Sequence, residues 1–337
     1  MLTDAQLRLI KRLALAPGIL ALSGCYYLHL AAGQLEMNRR RQPIADLVDR
    51  ADTDATLRRR LEYASRARQF AITDMGLPDN GSYRSYADLG RPYATWNLFA
   101  APEFSVSPQR WCFPVAGCVA YRGYFREERA TRAARRIARR GRDVYIGPAL
   151  AYSTLGHLRD PVLNTMLAYR DAEIAALIFH ELAHQQVYVP GDGDFNEAFA
   201  TVVANEGARR WLTRLGNDDE LAAFLASRRR EQEIAESMAA ARGHLAAVYR
   251  SDAPAGEMRA AKAAELARLR ESLAARGLSA AGELNNARLA AVATYHRCVP
   301  ALTTLLAGHN GDLPAFYAAI RSLARDSAAR SALCPGP

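Results

Sequence analysis

Apolar residues recur at helical spacing in the middle of the chain. Between residues 173 and 184, four aliphatic side chains fall three or four positions apart: Ile174, Leu177, Ile178 and Leu182. This spacing indicates one buried helix face. Pro190 and Gly191 end the pattern, because proline lacks a backbone donor and glycine tolerates a left-handed turn. A second helical pattern opens at Phe195, so the sequence predicts two buried helices joined by a short loop.

A longer helical pattern follows. Residues 217–278 consist almost entirely of helix formers, interrupted only by the proline-glycine turn between Ser251 and Gly256. Two helices with such a turn form an antiparallel hairpin. It could serve as a lid, as a docking arm or as scaffold, and scaffold is the interpretation we favour.

The pattern differs between residues 76 and 124, where prolines and aromatic residues concentrate. Short strands and turns suit this composition better than helix. Residues 142–147 form a further compact strand, and we expect the edge at Val144–Ile146 to be either purely structural or a place where a peptide adds to the sheet. The fold class predicted is α+β, predominantly helical, with a small sheet and a long antiparallel helical hairpin.

Polar residues interrupt the first buried helix at three positions. His180 and His184 are four residues apart, so both imidazoles face the same way and can share one Zn²⁺, and Glu181 lies beside them. This spacing predicts a zinc hydrolase. The alternative is a pair of hydrogen-bonded core histidines.

A third zinc ligand is expected from the second helix. Glu197, near its start, can fold back towards the two histidines, and we predict it as the ligand. Glu206 is the rival, about two and a half turns further along. If Glu197 is the ligand, Glu206 supports the site, faces substrate or is a solvated helix carboxylate.

Such a site suggests a mechanism. Zn²⁺ bound by three side chains keeps a fourth position for water, whose pKa falls towards ~7. Glu181 would act as general base, taking the proton of this water as it attacks a peptide carbonyl. The oxyanion needs a hydrogen-bond donor, and five side chains are candidates: Tyr152, Tyr188, His157, Tyr295 and His296. Tyr152 ranks first because it follows the predicted edge strand.

An aminopeptidase would also need an acid that binds the substrate ammonium. Asp192, Asp194 and Glu206 are the candidates.

Charge adds little to this assignment. The 337-residue chain carries a formal net charge of +9, but lysine occurs only at positions 11 and 262, so arginine supplies nearly all of the basic residues. The densest run, residues 126–142, has few interleaved aromatics; it is either a solvated helix face or a patch for anions or membrane headgroups. We therefore predict no nucleic-acid partner.

The first 25 residues predict export. A basic region precedes the short apolar run Leu13–Leu22, which is too short to span a bilayer comfortably. The sequence Leu22-Ser23-Gly24-Cys25 that follows resembles the lipobox of bacterial lipoproteins. The resemblance implies cleavage before Cys25, lipidation of that residue, and anchoring in the cell envelope, with the outer membrane facing the periplasm favoured. The alternative is an uncleaved helix with a buried cysteine.

Four cysteines remain after Cys25: Cys112, Cys118, Cys298 and Cys334. Cys112 pairing with Cys118 and Cys298 with Cys334 would suit an oxidising periplasm. Sequence alone permits three pairings, and free thiols remain open. None of the four has the spacing of a zinc-thiolate site.

Several motifs carry a resemblance to a family of bacterial envelope lipoproteins usually called predicted aminopeptidases. They are Gly33–Leu35, Trp111–Cys118, Tyr121–Phe125, Ala151–Gly156, Asp160–Leu163, His180–His184, Phe195–Glu197 and Leu284–Arg288. The resemblance implies a zincin-like metallopeptidase core, a peptide substrate and aminopeptidase activity. The chain lacks the Gly-x-Met-Glu-Asn element by which well-known zinc aminopeptidases hold the substrate amine.

Two alternatives therefore stay open: a periplasmic zinc endopeptidase, and a non-catalytic lipoprotein that binds an envelope partner through the helical hairpin. No pattern predicts an oligomeric state. The expected organisation is a lipoprotein signal peptide (1–24), a region with the N-terminal helices, small sheet and zinc-binding helix pair (25–216), the hairpin (217–278) and a C-terminal helical region that completes the core (279–337).

Overall fold

The computed structural model describes residues 26–114, 116–279 and 282–334. The predicted signal peptide and the predicted lipidation site at Cys25 lie outside the described residues. The fold is mixed α+β and mostly helical, as predicted.

The helices are α1 (26–40), α2 (Ile44–Asp49), α3 (Ala55–Thr73), α4 (Glu127–Ala138), α5 (Asn164–Leu167), α6 (Asp171–Gln186), α7 (Gly193–Leu215), α8 (Asp218–Arg250), α9 (Ala255–Ala275), α10 (Asn286–His296), α11 (Val299–Gly308), α12 (Leu313–Arg325) and α13 (Ser327–Leu333). The strands are β1 (Arg41–Pro43), β2 (Ser85–Ala87), β3 (Thr95–Pro102), β4 (Trp111–Phe113), β5 (Gly117–Val119), β6 (Tyr121–Tyr124), β7 (Arg142–Ala149) and β8 (Val162–Leu163).

Helices α6 and α7 form the centre of the molecule, as the apolar periodicity predicts. The α6 side chains Ile174, Ile178 and Leu182 are fully buried in the main core. Helix α7 begins where the Asp192 carboxylate accepts a hydrogen bond from the backbone of Phe195, an N-cap that satisfies one of the free amides of the first turn. The connection between the two helices is therefore short and fixed.

A three-stranded sheet has the order β6-β3-β7, and both of its pairings are antiparallel. One face, with Leu98 and Ile146, packs against α4. The other face, with Phe99 and Tyr145, is turned towards α10. Two smaller sheets have the orders β1-β2-β8 and β4-β5. The sequence prediction of short strands in this region is confirmed.

The predicted hairpin is formed by α8 and α9. Its two helices share a separate apolar cluster that includes Leu245 and Leu269. Ion pairs join α9 to the sheet region: Lys262 to Asp143 at 2.6 Å and Arg259 to Glu103 at 2.6 Å. These ion pairs attach the first turns of α9 to the sheet region. The scaffold role of the hairpin and the division into domains stay predictions.

Two disulfides are present, Cys112–Cys118 and Cys298–Cys334. The first closes the β4-β5 hairpin, and the second links the start of α11 to the end of α13. Of the three pairings that the sequence permits, the structure contains the one expected from proximity along the chain.

Within the described ranges, no helix combines the length and the apolar character needed to cross a membrane.

Candidate metal centre

Three side chains from α6 and α7 converge at one point. The Nε2 atoms of His180 and His184 lie 3.1 Å apart. The Oε2 atom of Glu197 lies 3.3 Å from Nε2 of His180 and 3.7 Å from Nε2 of His184. Among the described residues, these three form the one group of side chains that could hold a metal ion.

The triangle of ligand atoms fits zinc. Tetrahedral coordination with bonds of about 2.0–2.1 Å separates ligand atoms by roughly 3.4 Å, and the three observed distances bracket that value. Two imidazoles and one carboxylate are also the donor set of catalytic zinc sites that keep a fourth position open. The residues present therefore fit the ion that the sequence predicts.

Charge at the site favours a cation. Burial alone would raise the pKa of Glu197, but the charges and hydrogen bonds of His184 and His180 outweigh it and hold the pKa well below its usual range. Burial opposes protonation of His184, yet Glu197 raises its pKa overall. The only lysine or arginine lining this cavity within the described chain is Arg228, which is bound to Glu173 at 2.6 Å. Glu197 therefore has imidazole partners but no guanidinium.

Glu181 faces the same cavity. Burial raises its pKa, the two imidazoles oppose the shift, and the carboxylates of Glu197 and Asp160 add to it. A carboxylate with a raised pKa is a better proton acceptor than an ordinary one.

The three candidate ligands lie in a cavity of about 1400 Å³. Its walls are the inner face of the sheet β6-β3-β7, helices α6, α7 and α10, the β4-β5 hairpin and the segment after β7. This volume exceeds that of an ordinary small-molecule pocket.

The structure separates Glu197 from its rival. Glu206 lies outside the residues that line the cavity, and its carboxylate accepts hydrogen bonds from Arg209 at 2.8 Å and Arg210 at 2.6 Å. The geometry thus favours Glu197 as the third ligand and gives Glu206 a structural ion-pair network.

The other two acids expected near a substrate ammonium are also engaged elsewhere. Asp192 caps α7 and pairs with Arg330 at 2.8 Å, and Asp194 pairs with Arg297 at 2.6 Å. Neither lines the cavity. These contacts give Asp192 and Asp194 structural roles at the start of α7, so nothing in the geometry favours the predicted substrate contact.

Tyr152, the predicted oxyanion donor, lines the cavity, but its ring packs on Phe125 at 4.7 Å between centroids. Burial raises its pKa, and Asp160 is the charged neighbour that adds to the shift. Its role stays a prediction.

Three other tyrosines of the cavity lie in the electrostatic field of Glu197. Burial raises the pKa values of Tyr121, Tyr188 and Tyr295, and in each case Glu197 adds to the shift. Tyr121 was not among the sequence candidates for the oxyanion donor. Tyr121 faces the cavity because β6 pairs with β3 in a register that places Tyr121 opposite Phe99. The sequence alone does not predict this register.

The predicted substrate edge at Val144–Ile146 belongs to β7, which lies at one side of its sheet. The carbonyl of Val144 accepts a hydrogen bond from the side chain of Asn285 at 3.0 Å. Val144 and Ile146 themselves pack towards α4, whereas Tyr145 lines the cavity. The face of β7 that carries Tyr145 therefore borders the cavity, while the role of the edge in binding a peptide stays a prediction.

Comparison with known proteins gives one match. A family model described as "Putative aminopeptidase" matches residues 25–333. No curated protein and no solved structure matches the chain.

Proposed function

The chain belongs to the family described as "Putative aminopeptidase", and from this membership and the geometry of its cavity we propose that it is a zinc-dependent peptidase, most simply an aminopeptidase. The observation that carries the proposal is the triangle of ligand atoms from His180, His184 and Glu197. The family supports a peptidase; zinc dependence and a zincin-like mechanism are our inference from the donor set.

His180, His184 and Glu197 would hold the ion. Bound there, zinc would polarise the substrate carbonyl and make hydroxide available near neutral pH. The low pKa of Glu197 keeps this carboxylate ionised as a ligand at neutral pH. Both imidazoles offer Nε2 to the same point.

Glu181 accepts the proton of the attacking water and returns it to the amine that leaves. Its position next to His180 on α6 puts its carboxylate in the cavity beside the ligands rather than among them. The raised pKa of Glu181 favours proton uptake. Tyr121, Tyr188 and Tyr295, together with the predicted Tyr152, offer hydroxyl donors from the surrounding walls for the oxygen that becomes negative.

The first experiment compares Glu181→Gln with wild type. The amide keeps the size of the side chain but cannot accept the proton, so kcat should fall about 10²–10⁴-fold, while the zinc content measured by elemental analysis stays at one ion per chain. Glu206→Gln, a glutamate of the same helix pair outside the cavity, should retain full activity. A Glu181→Gln variant that still cleaves peptides at the wild-type rate contradicts the mechanism.

Peptides with a free or an acetylated amino terminus separate the two kinds of peptidase. An aminopeptidase requires the free ammonium, so acetylation should abolish cleavage. Equal cleavage of both sets favours the endopeptidase alternative, for which the large cavity has room. If Glu181→Gln retains every phenotype in cells, the non-catalytic alternative with the helical hairpin is preferred.

We also propose that the protein is anchored in the cell envelope, at the outer membrane facing the periplasm, through a lipid on Cys25. Support comes from the sequence around Cys25 alone. Cys25→Ser should move the protein from the membrane fraction to the soluble fraction of the envelope. Unchanged membrane association of the variant contradicts the anchor.

A further inference from the structure

The sheet face that borders the cavity has an unusual middle row. Side chains alternate along a strand, so the register places three rows on this face: Tyr121, Phe99 and Tyr145; Gly123, Asn97 and Gly147; Thr95 and Ala149. All of these residues line the cavity. In the middle row, Asn97 is the single side chain, with a glycine on each side.

Backbone conformation does not require these glycines. Neither Gly123 nor Gly147 has a positive φ, and glycine inside a strand weakens the strand. The reason is steric, because a side chain at either position would crowd a neighbouring side chain. A Cβ on Gly123 would lie 3.3 Å from Oδ1 of Asn97, and a Cβ on Gly147 would lie 3.2 Å from the ring of Tyr145. Glycine at these two positions therefore leaves room for the side chains of Asn97 and Tyr145, which lean over it. Because Gly123 and Gly147 also line the cavity without side chains of their own, the middle row forms a shallow trough beside Asn97.

The amide of Asn97 has unused hydrogen-bonding capacity. It offers two donors and an acceptor with two lone pairs. Thr95 donates to Oδ1 at the long distance of 3.5 Å, and a hydrogen bond with Asn97 partly offsets the rise that burial causes in the pKa of Tyr295. A peptide group carries the complementary N–H and C=O pair.

The trough and the candidate metal centre share one cavity. Tyr121 borders the trough from the sheet and Tyr295 from α10, and both tyrosines line the cavity together with the candidate zinc ligands. A chain segment lying in the trough is therefore held in the same cavity as the side chains that would bind zinc.

We propose that Asn97 binds the main chain of the peptide substrate, which lies extended in the trough between Gly123 and Gly147. This inference rests on the proposed function and deepens it: the substrate is selected through a backbone amide and only weakly through its side chains. Asn97 is then a positioning residue, which holds the scissile bond under the metal centre without taking part in proton transfer.

The test replaces Asn97 by leucine, which has a similar shape but no hydrogen-bonding group. KM for the peptide that zinc-loaded wild type cleaves best should rise about tenfold, the size expected for one or two uncharged hydrogen bonds, with kcat changed less than about threefold. Asn205→Leu is the matched control, because Asn205 also lines the cavity but lies on α7. Its KM should remain within about twofold of wild type.

Modified substrates show whether the contact is with the main chain. Esters or N-methyl amides placed at one peptide bond after another should weaken binding to wild type about tenfold at one position and should have no further effect on Asn97→Leu. Gly123→Ala, which fills the trough with one methyl group, should also raise KM while the zinc content stays at one ion per chain.

Two results would overturn the inference: a wild-type KM for Asn97→Leu, or equal sensitivity of wild type and variant to every modified bond. If zinc-loaded wild type cleaves no peptide, the proposed function fails, and calorimetry with unblocked tripeptides to hexapeptides then decides about Asn97. Binding that Asn97→Leu weakens supports the trough, whereas the absence of binding to wild type rejects the trough as well.

Discussion

Helix α7 carries one glutamate near its start and another in its middle, and the surroundings of the two differ. The side chains of Glu197 and Glu206 are almost equally buried, with exposed fractions of 14% and 15%. Glu206 binds two guanidinium groups, whereas the partners of Glu197 are two imidazoles. An arginine stays charged and neutralises a buried carboxylate at any physiological pH, whereas an imidazole can lose its proton and then offers a lone pair to a metal ion. The surroundings of Glu197 therefore suit a metal ligand, and those of Glu206 suit a structural ion pair.

The largest expected difference between Glu197 and Glu206 is in metal affinity. Glu197→Gln should weaken zinc binding by more than about 100-fold, because loss of even a residue that supports a ligand costs 10–100-fold, and peptidase activity should be lost with the metal. Glu206→Gln should bind zinc as wild type does. Competition with a chromophoric chelator measures both affinities. If Glu197→Gln binds zinc with wild-type affinity, Glu197 does not differ from Glu206 as a metal ligand.

Removal of the metal should lower the stability only of proteins that retain Glu197. Zinc at about 1,000 times its Kd would stabilise the fold by about 4 kcal/mol. Chelation should therefore lower the melting temperature of wild type and of Glu206→Gln, with little effect on Glu197→Gln. Melting curves with and without chelator test this, and equal shifts in all three proteins would argue against a zinc site at Glu197.

The disulfide Cys298–Cys334 holds together the C-terminal helices, which contact α7 near both glutamates. Arg330 binds Asp192 at the start of α7, and Arg210 of α7 donates a hydrogen bond to the carbonyl of Gly311. Replacing both cysteines by serine should lower the free energy of unfolding by about 2–4 kcal/mol, with zinc affinity retained. Denaturant titration measures the loss.

The matched control is the pair Cys112 and Cys118, which are only 6 residues apart, against 36 for the longer disulfide. Their replacement should cost less, about 2 kcal/mol, because a shorter loop loses less entropy on closure. A larger loss from the shorter disulfide would show that strain or local contacts, rather than chain entropy, dominate.

The smallest effect is expected at Glu206 itself. Its arginine partners are partly exposed, so Glu206→Gln should reduce the free energy of unfolding by only about 1 kcal/mol. Burial would raise the pKa of Glu206, but Arg209 and Arg210 outweigh it and lower the pKa overall. The contribution is therefore fully present above about pH 4.5, the ordinary range of a glutamate, and is lost as pH falls through the lowered pKa. Denaturant titrations of zinc-free protein across this range test it; a difference that grows on acidification would contradict the sign.

Local sequence patterns were sufficient to predict helix α6 and the hairpin of α8 and α9. The periodicity around Ile174 predicted α6, the proline-glycine turn predicted the α8-α9 hairpin, and the spacing of the cysteines suggested the disulfides that the structure contains. The two helical features depend on neighbours within a few residues or on a simple break in a pattern. The domain division and the roles of Tyr152 and Cys25 remain predictions.

By itself, the sequence determined that His180 and His184 share a helix face, because a spacing of four residues fixes that in any α-helix. Only the tertiary structure decided that Glu197 rather than Glu206 completes the triangle, that Asp192 and Asp194 are held by arginines from distant segments, and that Asn97 lies between two glycines. Each of these depends on how separate helices and strands meet. Helical periodicity is a property of the local backbone, whereas such meetings depend on the packing of the whole core.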